Sequence, residues 1–200
     1  MCSGIVGIVN YKENIIDRKP ILDKMLKKLE KRNSDENNIY LDNNAILGQK
    51  MLKDEKKINT EQSMSYKYND TTYTIVYNGN LYNLKELKSF LENKGFEFDT
   101  YSDIEVLLKA FVYYGRAVCK YLNGVFGFAI WNDKERELFL ARDRFGIKPL
   151  YYTISNGNFI FASEIKALLE YPDVEAKLDL NGIGEVFGVG PAHTVRKNSI

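Results

Sequence analysis

Histidine is almost absent from this 200-residue chain; the one copy, His193, sits in the Gly/Pro-rich stretch 188–193. Histidine is the usual base for a cysteine or serine nucleophile, so nucleophilic chemistry here needs another proton acceptor. Cysteine is nearly as scarce. Cys2 and Cys119 are the only two, which excludes a disulfide framework, and no signal-like stretch precedes the first apolar run. Those two absences lead us to expect a reduced, cytoplasmic setting. No apolar run approaches the roughly 18–20 residues that a spanning helix needs, so no membrane partner is expected. Charge of one sign is lacking too: 28 Lys and Arg against 27 Asp and Glu give a formal net charge of +1. That balance supplies no electrostatic reason to expect nucleic acid or an anionic membrane. The lysines at 24–31 and 53–57 are interleaved with Glu30, Asp54 and Glu55, the pattern of solvated faces. With only four prolines and 44% apolar residues, the chain can bury a real core.

What the chain does have stands at its front. The opening reads Met1-Cys2-Ser3-Gly4-Ile5-Val6-Gly7-Ile8-Val9. Once Met1 is removed, Cys2 carries both a nucleophilic sulfur and a free α-amine, whose ordinary pKa of about 7.7–8 lets it accept a proton near neutrality. No histidine is then required. On position alone, a cysteine before Ile-Val-Gly-Ile-Val also reads as the start of a buried strand.

Residues 4–9 form a β-rich apolar run, and Asp17 to Lys31 places Ile21, Leu22, Met25, Leu26 and Leu29 on one helical face, with Pro20 in the first turn. Strand-like runs follow at 38–42, 45–50 and 72–78, with Asn43-Asn44 and Asn69-Asp70 as turns. A helix from Leu84 to Lys94 ends at Gly95, and the next opens on the capping box Ser102-Asp103-Ile104-Glu105. Residues 116–122, around Cys119, read as helix with a packed core thiol. Runs at 125–131, 137–141, 150–154 and 158–162 then alternate as strands, with hairpin signals at Asn132-Asp133-Lys134 and Asn156-Gly157. Ser163 to Leu169 closes as a helix with Ser163 as its expected N-cap. Many short antiparallel strands with helices in blocks predict an α+β fold, two antiparallel sheets sandwiched by helices. Residues 1–177 read as one domain. The Gly-rich 178–200 reads as a linker or the first piece of a further domain.

Six motifs occur in series: Cys2 closely followed by Gly-Ile-Val-Gly; Tyr77-Asn78-Gly79-Asn80-Leu81-Tyr82-Asn83; Ser102-Asp103-Ile104-Glu105; residues 122–129, Leu-Asn-Gly-Val-Phe-Gly-Phe-Ala; residues 141–152, Ala-Arg-Asp-Arg-Phe-Gly-Ile-Lys-Pro-Leu-Tyr-Tyr; and residues 161–168, Phe-Ala-Ser-Glu-Ile-Lys-Ala-Leu. Over residues 1–195 the chain resembles the glutaminase domain of class II glutamine amidotransferases, in the branch fused to glutamine-dependent asparagine synthetases. The resemblance implies a four-layer αββα N-terminal-nucleophile hydrolase sandwich that cleaves the side-chain amide of glutamine. It implies Cys2 as nucleophile, the Asn78 side chain and the Gly79 N–H as oxyanion donors, and Asp103 as partner of the substrate's α-ammonium. The Arg142-Asp143-Arg144 and Lys148-Pro149 segment matches a family signature that we assign to folding and interdomain contact. No metal ligand and no cofactor is expected in these residues. ATP and Mg²⁺ would belong to a C-terminal synthetase domain that amidates aspartate with the released ammonia, and a homodimer is an open alternative to a monomer.

The chain departs from the family pattern in several places. Ser3 and Gly4 make one residue extra before the strand, which a bulge at Gly4 would absorb. Residues 31–35 read Lys-Arg-Asn-Ser-Asp where the family commonly has His-Arg-Gly-Pro-Asp. Met51, with Lys50 beside it, stands where the family places an arginine that grips the substrate carboxylate, and Asn80 stands where it has a glutamate. A thioether cannot replace the arginine fork, so Lys50 and Asn80 become the substrate-binding candidates. These losses define the alternative: a non-hydrolysing scaffold or amino-acid-sensing domain of an amide-ligating or peptide-cyclising paralogue.

Overall fold

The computed structural model describes residues 4–29, 36–51, 65–100 and 102–177. Cys2, residues 31–35, the lysines at 53–57, His193 and the proposed linker 178–200 lie outside the described residues.

Two antiparallel sheets form the middle of the molecule. The first, in order β2-β3-β1-β9-β8, joins Glu36–Leu41, Ala45–Met51, Gly4–Val9, Asn158–Ala162 and Tyr151–Ser155. The second, in order β4-β5-β6-β7, joins Ser65–Tyr68, Thr71–Leu81, Gly124–Asn132 and Glu137–Arg142. Alternation along β1 explains the layering: Val6 and Ile8 pack outward with Leu22, Met25 and Leu26 of α1 (Lys19–Lys28), while Ile5 and Val9 pack inward. The inward set meets Val76 of β5 and Ala129 and Trp131 of β6, making the core between the sheets. On the far side, Ile75 and Tyr77 of β5 join Phe126, Phe128 and Ile130 of β6 against α2 (Leu84–Glu92) and α3 (Asp103–Tyr114). The short α4 (Ile165–Leu168) packs beside α1. The expected two-sheet sandwich with flanking helices is present as an αββα stack.

The differences from the sequence reading have local causes. Strand β4 was not expected; it pairs Ser65–Tyr68 with Thr71–Thr74 around Asn69 and Asp70, both of which adopt positive φ (46° and 60°). Cys119 lies in a 3-10 stretch, Gly115–Lys120, and is half-buried. Ser163 does not cap α4. Its N–H donates to the Ile5 carbonyl (2.9 Å) and its Oγ accepts from the Ile5 N–H (3.0 Å), so it stitches β9 to β1. The capping box is half formed: Ser102 Oγ accepts from Glu105 N at 3.4 Å, but the Glu105 carboxylate takes the N–H groups of Asp99 and Thr100 and the Lys109 ammonium instead. Burial works to raise the Glu105 pKa, yet these donors hold it below its ordinary value. No bulge occurs at Gly4. It pairs in register with Lys50, the ladder runs unbroken to Val9, and a Cβ there would lie 2.7 Å from Leu29 Cδ1.

Candidate active site

The site is built where the second half of β5 passes the start of β1 and the end of β3. Strands β1 and β5 touch across the sandwich. Side chains on β5 alternate: Ile75 and Tyr77 face α2 and α3, Val76 faces the opposite sheet, and Asn78 therefore faces that sheet too. Asn78 is 1% exposed, and among the described residues neither its Nδ2 nor its Oδ1 has a hydrogen-bond partner. Leaving a buried polar group unpaired costs about 1–3 kcal/mol. Such a group in a native interior calls for an explanation, and a bound ligand supplies one.

Backbone geometry at the next residue is as informative. Beyond Thr74, β5 has β6 on one edge and no β4 pairing on the other. On that open edge the Tyr77 N–H donates to Gln49 Oε1 (3.1 Å) and the Leu81 N–H donates to Asp103 Oδ2 (3.0 Å). Residues two apart in a strand present their N–H groups to the same edge, so the Gly79 N–H points there, between two that are already capped. Its cross-strand partner Phe126 agrees, because both of that residue's backbone groups turn instead to Asp143 on the other side. A side chain at 79 has no room: a Cβ would lie 2.5 Å from the Val125 carbonyl, 2.9 Å from Phe126 Cα and 2.8 Å from Tyr77 Oη. Two of those three obstacles are backbone. Gly79→Ala is expected to lower stability by about 1–3 kcal/mol through overpacking, read as a lower urea midpoint with an unchanged slope.

Asp103 opens α3, where the helix dipole favours a carboxylate. It is half-buried, and among the described residues both of its hydrogen bonds fall on Oδ2, from Tyr77 Oη (3.2 Å) and Leu81 N. Burial first, and the Asp103 charge second, push the Tyr77 phenol above its ordinary range. Asn78, Gly79 and Asp103 are thus brought together around one strand edge. Asn80 follows them on β5 but is exposed. Lys50 is 7% exposed and pairs with Gly4 and Asn37. It leaves β3 on the face where Gly48 meets Leu26 of α1, opposite Gln49 and therefore opposite Asn78. Cys2 lies two residues ahead of Gly4, outside the described residues. Sequence reasoning did not single out Gln49; the signal was a polar residue at the inward position after Ala45 and Leu47.

The stack of two antiparallel sheets between helices is the N-terminal-nucleophile amidotransferase fold, here with a donor-bearing strand edge beside the half-buried Asp103 carboxylate. Among solved structures the chain is similar to the allosteric regulatory enzyme of purine biosynthesis, with a TM-score of 0.71 at 22% identity over 84% of this chain and 43% of that one. It is also similar to the glutamine phosphoribosylpyrophosphate amidotransferase from B. subtilis, with a TM-score of 0.67 at 23% identity over 82% and 42% of the two chains. The family described as glutamine amidotransferase domain matches residues 1–198. A curated relative, asparagine synthetase [glutamine-hydrolyzing] 3 of Bacillus subtilis (strain 168), is 41% identical over 194 residues, which is 97% of this chain and 31% of that protein. The chain belongs to the glutamine amidotransferase domain family and spans about a third of the length of that curated relative.

Proposed function

We propose that this chain hydrolyses the side-chain amide of glutamine through a thioester on Cys2. The Cys2 sulfur attacks the amide carbon while its own α-amine takes the thiol proton. The carbonyl oxygen becomes an oxyanion, stabilised by the Asn78 amide and the Gly79 N–H. The ammonium of Cys2 then returns its proton to the departing nitrogen, ammonia leaves, and water attacks the thioester to give glutamate and the free thiol. Asp103 receives the substrate's α-ammonium. The observation that carries this reading is the Asn78 amide, buried and, among the described residues, unpartnered, beside an N–H directed to the edge of β5 beyond its β4 pairing. In a longer protein of the same plan, the ammonia would pass to a C-terminal synthetase domain that amidates aspartate with ATP and Mg²⁺. Among the described residues no three His, Cys, Asp or Glu side chains group to hold a metal ion, and none of the described helices is long and apolar enough to cross a membrane. The proposed setting is the cytoplasm.

A second reading, a non-hydrolysing scaffold or amino-acid-sensing domain, is favoured by Lys50, which sits across the sheet from Asn78, and by the exposed Asn80. Intact-mass measurement and glutamate release on one sample separate the two. Glutamate release is expected from Met-free protein and not from protein that retains Met1. A cysteine-directed glutamine analogue is expected to label Cys2 and spare Cys119, whose thiol is pushed up by burial. Met-free protein that neither turns over glutamine nor takes the label would establish the scaffold.

A further inference from the structure

We propose that Tyr77 is a positioning residue of this site, its hydroxyl setting the orientation in which Asp103 meets the substrate's α-ammonium. The inference rests on the glutaminase reading above and adds a residue to it. Tyr77 is 5% exposed, and its ring packs among the side chains of α2 and α3. Phenylalanine would fill that space equally well. What the hydroxyl adds, among the described residues, is one bond, to Asp103 Oδ2 at 3.2 Å. With the Leu81 N–H on the same oxygen at 3.0 Å, two donors from different directions restrain rotation of the carboxylate.

The same residue fixes its neighbours. The Tyr77 N–H is held by Gln49 from the opposite sheet, and the next two residues are the Asn78 amide and the Gly79 N–H. Tyr77 therefore registers the oxyanion donors against Asp103 through one backbone bond and one side-chain bond. The hydroxyl occupies space that only glycine at 79 leaves open, since a Cβ there would lie 2.8 Å away. Because the phenol is pushed above its ordinary range, it remains a donor throughout the neutral region. Its contribution should not titrate.

The test uses Met-free 200-residue chain, with Tyr77→Phe compared with wild type on two substrates: glutamine, and 4-carbamoylbutanoate, which has the amide and carboxylate but no α-amino group. Losing a hydrogen bond to a charged group is expected to raise KM for glutamine about tenfold, with kcat within about twofold. KM for the deamino substrate should not change. In an Asp103→Asn background the same substitution should add nothing, the mark of two residues acting through one contact. An unchanged KM for glutamine, or an equal rise for both substrates, overturns the inference and leaves the glutaminase reading intact. Wild-type protein without turnover overturns the reading itself, and the inference with it.

Discussion

Asn78→Leu is expected to lower kcat for glutamine hydrolysis by about 10²–10³, the usual consequence of removing one oxyanion donor, and at the same time to raise the melting temperature. The two effects have one origin. Among the described residues both polar atoms of the Asn78 amide are buried without partners, an unmatched desolvation cost of about 1–3 kcal/mol. Leucine keeps the branched, four-heavy-atom outline of the asparagine side chain and removes that cost. For a domain of this length, a gain of about 1 kcal/mol corresponds to roughly 2–4 °C. Thermal scans and glutamate release on the same preparation check both halves. A variant that loses stability as well as activity would show that the amide has a structural partner and would remove the observation on which the oxyanion assignment stands.

Asp143→Ala is expected to lower stability by about 3–5 kcal/mol, because it orphans several backbone donors at once. Asp143 is 6% exposed, and its carboxylate accepts the N–H groups of Phe126 (3.3 Å), Phe145 (3.1 Å), Ile147 (3.0 Å) and Lys148 (3.0 Å). The turn after β7 is wrapped around one side chain. Burial works to raise the Asp143 pKa, but the four donors prevail and hold it below the ordinary aspartate value. The sign follows from linkage. A depressed carboxyl contributes stability that is fully present above the unfolded pKa of about 3.9 and is lost as pH falls through the lower folded value. The gap between wild type and Asp143→Asn should therefore be constant from neutrality to about pH 5 and close in stronger acid. Urea midpoints across that range give the measurement, and a gap that widens on acidification would contradict it.

Much of this architecture was legible in the sequence because it is written in local patterns. The Asn-Asp-Lys and Asn-Gly turns mark two hairpins, Asn43-Asn44 marks the turn between β2 and β3, and the 3.6 period marks α1 and α3. Strand β4 was missed because Ser-Tyr-Lys-Tyr has no aliphatic alternation; its Tyr66 packs on a core cluster assembled from β5, β6, α2 and α3. Ser163 was misread for a related reason: a capping rule looks a few residues ahead, whereas its partner Ile5 is 158 positions back. Glu105 satisfies the same local rule on paper, but the loop before α3 offers it more donors than the cap does. At the site, Asn78, Gly79 and Asp103 were readable from the order of their motifs. Gln49 was not, nor was the role of Tyr77. Both act across strands, and one sequence carries no record of which strand will stand opposite which.

The paired bonds between Ile5 and Ser163 also bear on synthesis. Strand β1 leaves the ribosome well before β9, one of its two neighbours, whose Ser163 contact lies 158 positions further along the chain. Until then β1 has a naked flank of aliphatic residues and unsatisfied amides, the kind of edge that recruits chaperones or other nascent chains. Closure of the sandwich is thus a long-distance event, and polypeptides stalled or cut short of Ala162 should be markedly more aggregation-prone than chains that include β9.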